Sequence, residues 1–157
     1  MPEKSSLLEL MPEKAMAVSV LAADWREAIH AAGDALVHGG ITEPAYTEEM
    51  VETIEKLGPY IVIAPGLALA HSRPSPAVKR TGLSWVGLAN PVEFGSKRND
   101  PVHLVVGLAA LDHDEHLQAM SQLAMLVSDK ERLTQLASLD SVEAVREAIQ
   151  TFERNSK

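Results

Sequence analysis

Residues Ala68 to Pro76 read ALAHSRPSP, so a histidine, an arginine and two prolines close a stretch that is otherwise apolar. Imidazole is the side chain whose ordinary pKa lies nearest neutrality, and its neutral form is a nitrogen nucleophile. Where a strand meets a loop, such a ring is held from one side and reached from the other. His71 is therefore the leading candidate for chemistry. The competing nucleophiles are few: the chain has no cysteine, no G-x-S-x-G elbow, no P-loop and no G-x-G-x-x-G fingerprint. Aspartates and glutamates are plentiful but scattered, as on a solvated acidic surface.

The other histidines differ in promise. His30 and His38 lie eight apart among alanines and acids, which suits the surface or boundary of a helix. His103 opens an apolar run and reads as a satisfied sheet residue. The stretch LDHDEHL, Leu111 to Leu117, carries more information. With Asp112 as N-cap, Glu115 falls at the third helical position, as in a capping box, and His113 and His116 share a helical face. The acids alone would be explained by the helix dipole.

Two chemistries use these rings. A metal site built on His71, His113 and His116, as in a metallohydrolase, needs three protein ligands around zinc, and no HExxH-type spacing is present. Alternatively His71 and His116 converge, if their strands are neighbours, on one small anion. That arrangement suits a phosphoryl group carried on histidine, with Arg73 as a fork of donors and helix-start amides beside His116. No cofactor is implied by this second reading.

The elements that must position these rings follow from periodicity. Asp24 and Glu27 form a capping box for a helix from Trp25 to Gly39–Gly40, and Tyr46–Leu57 forms a second, ended by Gly58–Pro59. Tyr60–Ala64 and Leu67–His71 read as strands around a Pro65–Gly66 turn. LSWVGLANPVEF reads as one strand or as a pair broken at Asn90–Pro91. Val102–Leu111, apolar at nearly every position, reads as a central strand. Helices follow over about 113–127, 130–137 and 142–153. The expected class is α/β, a mixed sheet sandwiched between helices in one domain over 1–157, with 1–20 the least defined part.

Composition excludes several function classes. Without cysteine there are no disulfides or thiolate metal sites, which agrees with a reducing compartment. A net charge of −8 opposes non-specific nucleic-acid binding. No run is long enough to span a membrane, and MPEKSS does not lead into a signal-peptide core. A cytoplasmic protein is expected.

The stretches GPYIVIAPGLALAHSRP and NDPVHLVVGLAALDHDEHLQAM resemble the IIA component of the bacterial sugar phosphotransferase system (PTS). The likeness is to the mannitol/fructose-type superfamily, nearest its ascorbate-specific branch, and extends from about Trp25 to Ile149. It implies that His71 takes a phosphoryl group from the carrier protein HPr. The group then passes to a cysteine of a IIB component, which serves a membrane IIC transporter. By the same match the second family histidine falls on His116, not His113. The family usually has proline before the active histidine, and this chain has Ala70. A regulatory phospho-acceptor with the same fold, read by a partner protein, is the alternative. HPr and IIB are expected to share an apolar surface from Pro65–Leu67 and Ser72–Pro76, rimmed by carboxylates.

Overall fold

The computed structural model describes residues 6–155. Residues 1–5 lie outside it, so the reading of MPEKSS is covered only at Ser6. Five strands form one mixed sheet in the order β1-β4-β5-β3-β2. They are β1 Met16–Val20, β2 Val62–Ala64, β3 Leu67–His71, β4 Gly82–Val92 and β5 Val102–Ala109. The helices are α1 Leu7–Leu10, α2 Trp25–His38, α3 Pro44–Leu57, α4 His113–Val127, α5 Lys130–Ser138 and α6 Val142–Asn155. The α/β class and the covered mixed sheet are as expected.

Helix starts follow the capping logic. Asp24 accepts from the Glu27 amide at 3.0 Å, while the Glu27 carboxylate accepts from the Ala23 amide at 2.9 Å. Asp112 accepts from the Glu115 amide at 2.8 Å, so α4 begins where its acids predicted. α3 starts earlier than expected, with Pro44 in its first turn.

Three expectations change. The undefined stretch before Val20 contributes α1, capped by Ser6, and an edge strand, β1, parallel to β4. Leu7, Met11 and Ala15 are buried, so this segment belongs to the core. Each element is too short to show a period. β4 does not break at Asn90–Pro91. Its pairing with β5 shifts register between Gly87 and Val92, and proline is tolerated where the ladder is irregular. Finally, β2 starts only at Val62, because Pro59–Ile61 forms a 3₁₀ turn after Gly58.

Alternation along β3 divides the interior in two. Ala68 and Ala70 belong to a cluster with Ile29 and Ala32 of α2 and Met50 and Ile54 of α3. Leu67 and Leu69 belong to a second, with Leu123 and Leu126 of α4 and Val145 and Ile149 of α6. Burying each such leucine contributes about 2 kcal/mol. The strand side of this face is alanine, and α2 and α3 approach closely where Gly33 meets Thr47. A Cβ on Gly33 of α2 would collide with the buried Thr47 side chain of α3. Gly33→Ala should therefore push α3 outward and destabilise the protein by about 1–3 kcal/mol. A urea unfolding midpoint unchanged from wild type would contradict this packing.

Candidate functional site

β3 and β5 run parallel and finish together, with His71 opposite Leu108. His71 has the parity of Leu67 and Leu69, which directs its ring to the α4 side of the sheet. The chain leaving β5 turns at Asp112 into α4, and His116 lies one turn into that helix. The two expected rings meet there: their centroids are 5.7 Å apart, tilted by 59°. Tyr60 approaches His71 edge-on at 6.2 Å and 87°. Thr81 secures the start of α4, accepting from the Leu111 amide and donating to the Glu115 carboxylate.

The His71 ring is oriented by its own strand. Nδ1 lies 2.9 Å from the Leu69 carbonyl oxygen. A carbonyl only accepts, so in the neutral ring Nδ1 carries the hydrogen and Nε2 keeps the lone pair. The backbone just beyond is tied to α3. The Ser72 amide donates to the Tyr46 hydroxyl at 3.0 Å, and that hydroxyl lies 2.9 Å from the Leu108 oxygen and 3.1 Å from the Ser72 oxygen. Burial pushes the Tyr46 phenol up to about 12, so it stays protonated.

His71, Ser72, His116 and Tyr60 border a cavity of about 760 Å³ that also takes in Thr53, Lys56, Leu57, Arg73, His113, Leu117 and Met120. Three of the exposed large apolar side chains, Leu57, Tyr60 and Leu117, stand around it. Arg73 is on this cavity, as the sequence suggested, and is solvent-exposed. Tyr46, Thr53, Lys56 and Tyr60 were not anticipated. Their one signal is the placement of both of the chain's tyrosines in and just after the helix that leads to the Leu67–His71 strand.

Other expectations need correction. Pro65–Leu67 is not beside His71: it lies at the other end of β3, about 13 Å away for a five-residue strand. Leu67 is buried, and Pro65 borders a separate hollow with Arg98 and Ala124. No carboxylate lines the His71 cavity among the described residues, and its charged members besides the histidines are Lys56 and Arg73. The amide of His116 is not spare, since it donates to the Asp112 carbonyl at 3.0 Å. What His116 offers is its ring. His103 is exposed at the start of β5 instead of satisfied within the sheet. His30 and His38 are, as expected, at the surface or boundary, His30 standing 3.8 Å from Glu48. Among the described residues no group of three or more His, Cys, Asp or Glu side chains is placed to hold a metal ion, so His71, His113 and His116 do not assemble the zinc alternative. Nor, among those residues, is any helix long and apolar enough to cross a membrane.

Residues 9–151 match the family model of the phosphoenolpyruvate-dependent sugar phosphotransferase system, EIIA 2. The chain is 36% identical over 141 residues to the ascorbate-specific PTS system EIIA component of Escherichia coli K12, covering 89% of this chain and 92% of that protein. It is similar to the crystal structure of a putative PTS IIA (PtxA) from Streptococcus mutans, with TM-score 0.80, 28% identity and 88% of each chain covered. It is also similar to the IIA chain in the complex of mannitol enzyme IIA with phosphorylated enzyme IIB from E. coli. There the TM-score is 0.78 and the identity 31%, with 90% of this chain and 99% of that one covered.

The pair of rings makes stability depend on pH. Burial above all, then the nearby charges of His71 and His113, hold His116 below the ordinary 6.5. The unfolded chain thus binds this proton more readily than the folded one. Stability is complete above about pH 6.5 and falls as the pH drops below it. His116→Gln should flatten that fall in urea midpoints measured between about pH 7 and about pH 5. A slope identical to wild type would contradict the depression of His116.

Proposed function

Because the chain belongs to the EIIA 2 family of the phosphoenolpyruvate-dependent sugar phosphotransferase system, we propose that Nε2 of His71 takes a phosphoryl group from phosphorylated HPr and passes it to a IIB component, in a system for ascorbate. As a family member the protein is a phosphotransferase component that relays phosphate through a phosphohistidine. The observation that carries the assignment to His71 is the hydrogen bond between Nδ1 and the Leu69 oxygen, which leaves Nε2 as the nucleophilic nitrogen of a ring held still beside His116. The ascorbate assignment rests on the likeness to the E. coli ascorbate-specific component, and the IIB partner on the likeness to an enzyme IIA seen with phosphorylated IIB. The IIC transporter would be reached only through IIB.

The chemistry follows from those contacts. The Nε2 lone pair attacks phosphorus as the bond to the donor atom of HPr breaks, that atom leaving with the bonding pair. The His71 ring keeps its Nδ1 hydrogen and gains positive character, which strengthens the bond to the Leu69 carbonyl. Discharge to IIB reverses the step: a thiolate forms the new bond to phosphorus and the electron pair returns to Nε2. His116, neutral near pH 7 for the reasons above, donates one ring N–H to the phosphoryl oxygens. Arg73 adds guanidinium donors at the mouth of the cavity. Leu57, Tyr60 and Leu117 supply the apolar contact of a small, short-lived interface with each partner.

Two experiments check this reading. Labelled phospho-HPr should charge the wild-type protein, which should then discharge to an ascorbate-type IIB, while His71→Ala takes up no label. Acid-labile phosphate on the alanine variant would place the acceptor elsewhere, and a charged protein that never discharges to IIB would favour a regulatory role. Separately, His116→Ala should slow transfer about a hundredfold, the usual loss for one donor aimed at developing charge. His113→Ala should stay near wild type. Equal losses would show that the supporting ring had been misassigned.

A further inference from the structure

We propose that Tyr46 and Thr53 are positioning residues for the transfer step, clamping Ser72 from α3 so that Nε2 of His71 is held in line with the incoming phosphorus. This rests on the assignment of His71 as acceptor and adds what holds it.

The argument is a count of protons. The Thr53 hydroxyl donates its one hydrogen to the Glu49 carbonyl at 2.9 Å. The 3.1 Å contact between Thr53 Oγ1 and Ser72 Oγ must then use the hydrogen of Ser72, with Thr53 accepting. The Ser72 amide donates to the Tyr46 hydroxyl. The single phenolic hydrogen is shared between the Leu108 and Ser72 oxygens, with Leu108 at the shorter distance. Every polar group of Ser72 is thus engaged by α3. Through Leu108, the β5 partner of His71, the same hydroxyl ties β3 to β5 at the point where the ladder ends.

That placement is more than ordinary packing needs. A strand end running into a loop with Pro74 and Pro76 is where backbone freedom would return. The acceptor nitrogen sits one residue before that point. Tyr46 is fully buried, so its hydroxyl has no water to fall back on, and removing it takes one hydrogen-bond partner from the Ser72 amide and from the Leu108 and Ser72 oxygens. Tyr46 and Thr53 bond to Ser72, so both act on the His71 ring through that residue. A misplacement of about 1 Å at a reacting atom can lower a rate a hundredfold.

The test uses the full chain with labelled phospho-HPr as donor, following kcat and KM together with the ¹⁵N shifts of the His71 ring. Tyr46→Phe and Thr53→Val should each lower kcat by on the order of tenfold to a hundredfold with KM little changed. In both, the His71 ring should drift from a pure Nδ1–H tautomer towards a mixture. Thr53→Ser, which keeps the hydroxyl, should restore kcat and the tautomer. If Tyr46→Phe fails to fold, the half-buried Thr53 pair decides. Wild-type kcat in the Thr53→Val variant, or a loss matched only by a smaller folded fraction with an unchanged His71 ring, would overturn the clamp. His71→Ala in the same assay separates the two ideas: label uptake there overturns the acceptor, whereas an inert His71→Ala beside a fully active Thr53→Val overturns only the clamp.

Discussion

Between Leu67 and His71 the chain pairs in parallel register with Leu104 to Leu108, and this ladder sets which way each side chain of β3 points. Alanines at the even positions meet the close-packed α2–α3 layer, and leucines at the odd ones meet α4 and α6. His71 inherits the odd parity and so faces His116, while Ser72 comes within reach of α3. Slipping the strand by one residue would exchange the two faces and put a leucine where only an alanine fits. The packing of the core and the orientation of the His71 ring are therefore one constraint.

Around that ladder the polarity of the molecule is unevenly spent. The chain carries a net charge of −8, yet the cavity beside His71 is lined by Lys56, Arg73 and three histidines. An acidic exterior with a local cationic hollow focuses small anions towards one place. The hydrogen bonds nearest the ring are neutral ones, made by a phenol, two aliphatic hydroxyls and backbone. Neutral donors and acceptors do not change state with pH near neutrality, so the geometry they hold does not drift there.

How much of this was legible in the sequence depends on range. The starts of α2 and α4 were readable because Asp24–Glu27 and Asp112–Glu115 complete their capping within one turn. The apolar run at Val102–Leu111 allowed His71 and His116 to converge only if their strands were neighbours, which the β3–β5 ladder supplies. The family resemblance selected His116 over His113. Contacts that span the fold left no such mark. Tyr46 reaches Ser72 and Leu108 only after α3 has folded back, and its place with Tyr60 around that helix is the one local sign of it. Pro65 was grouped with Ser72 because the two are close in sequence, but an extended strand separates them. β1 stayed hidden because five residues at a sheet edge, one of them Ser19 with φ 56°, show no clean alternation. Ala70 precedes His71, and Ser72 on the other side is held by two hydroxyls, those of Tyr46 and Thr53, so hydrogen bonding secures this chain end.

The strand order has a bearing on biosynthesis. β3 is completed at His71, but its neighbour β5 begins only at Val102, and β1 waits for β4 at Gly82. A ribosome releases the chain from the N-terminus, so a nascent protein exposes the His71 imidazole well before the strand that flanks it or the helix that brings His116 can dock. Pairings this distant along the chain form late in folding as well as late in translation. The half-made protein thus carries His71 without its neighbouring strand or His116, and the site around that ring is assembled only with the last third of the polypeptide.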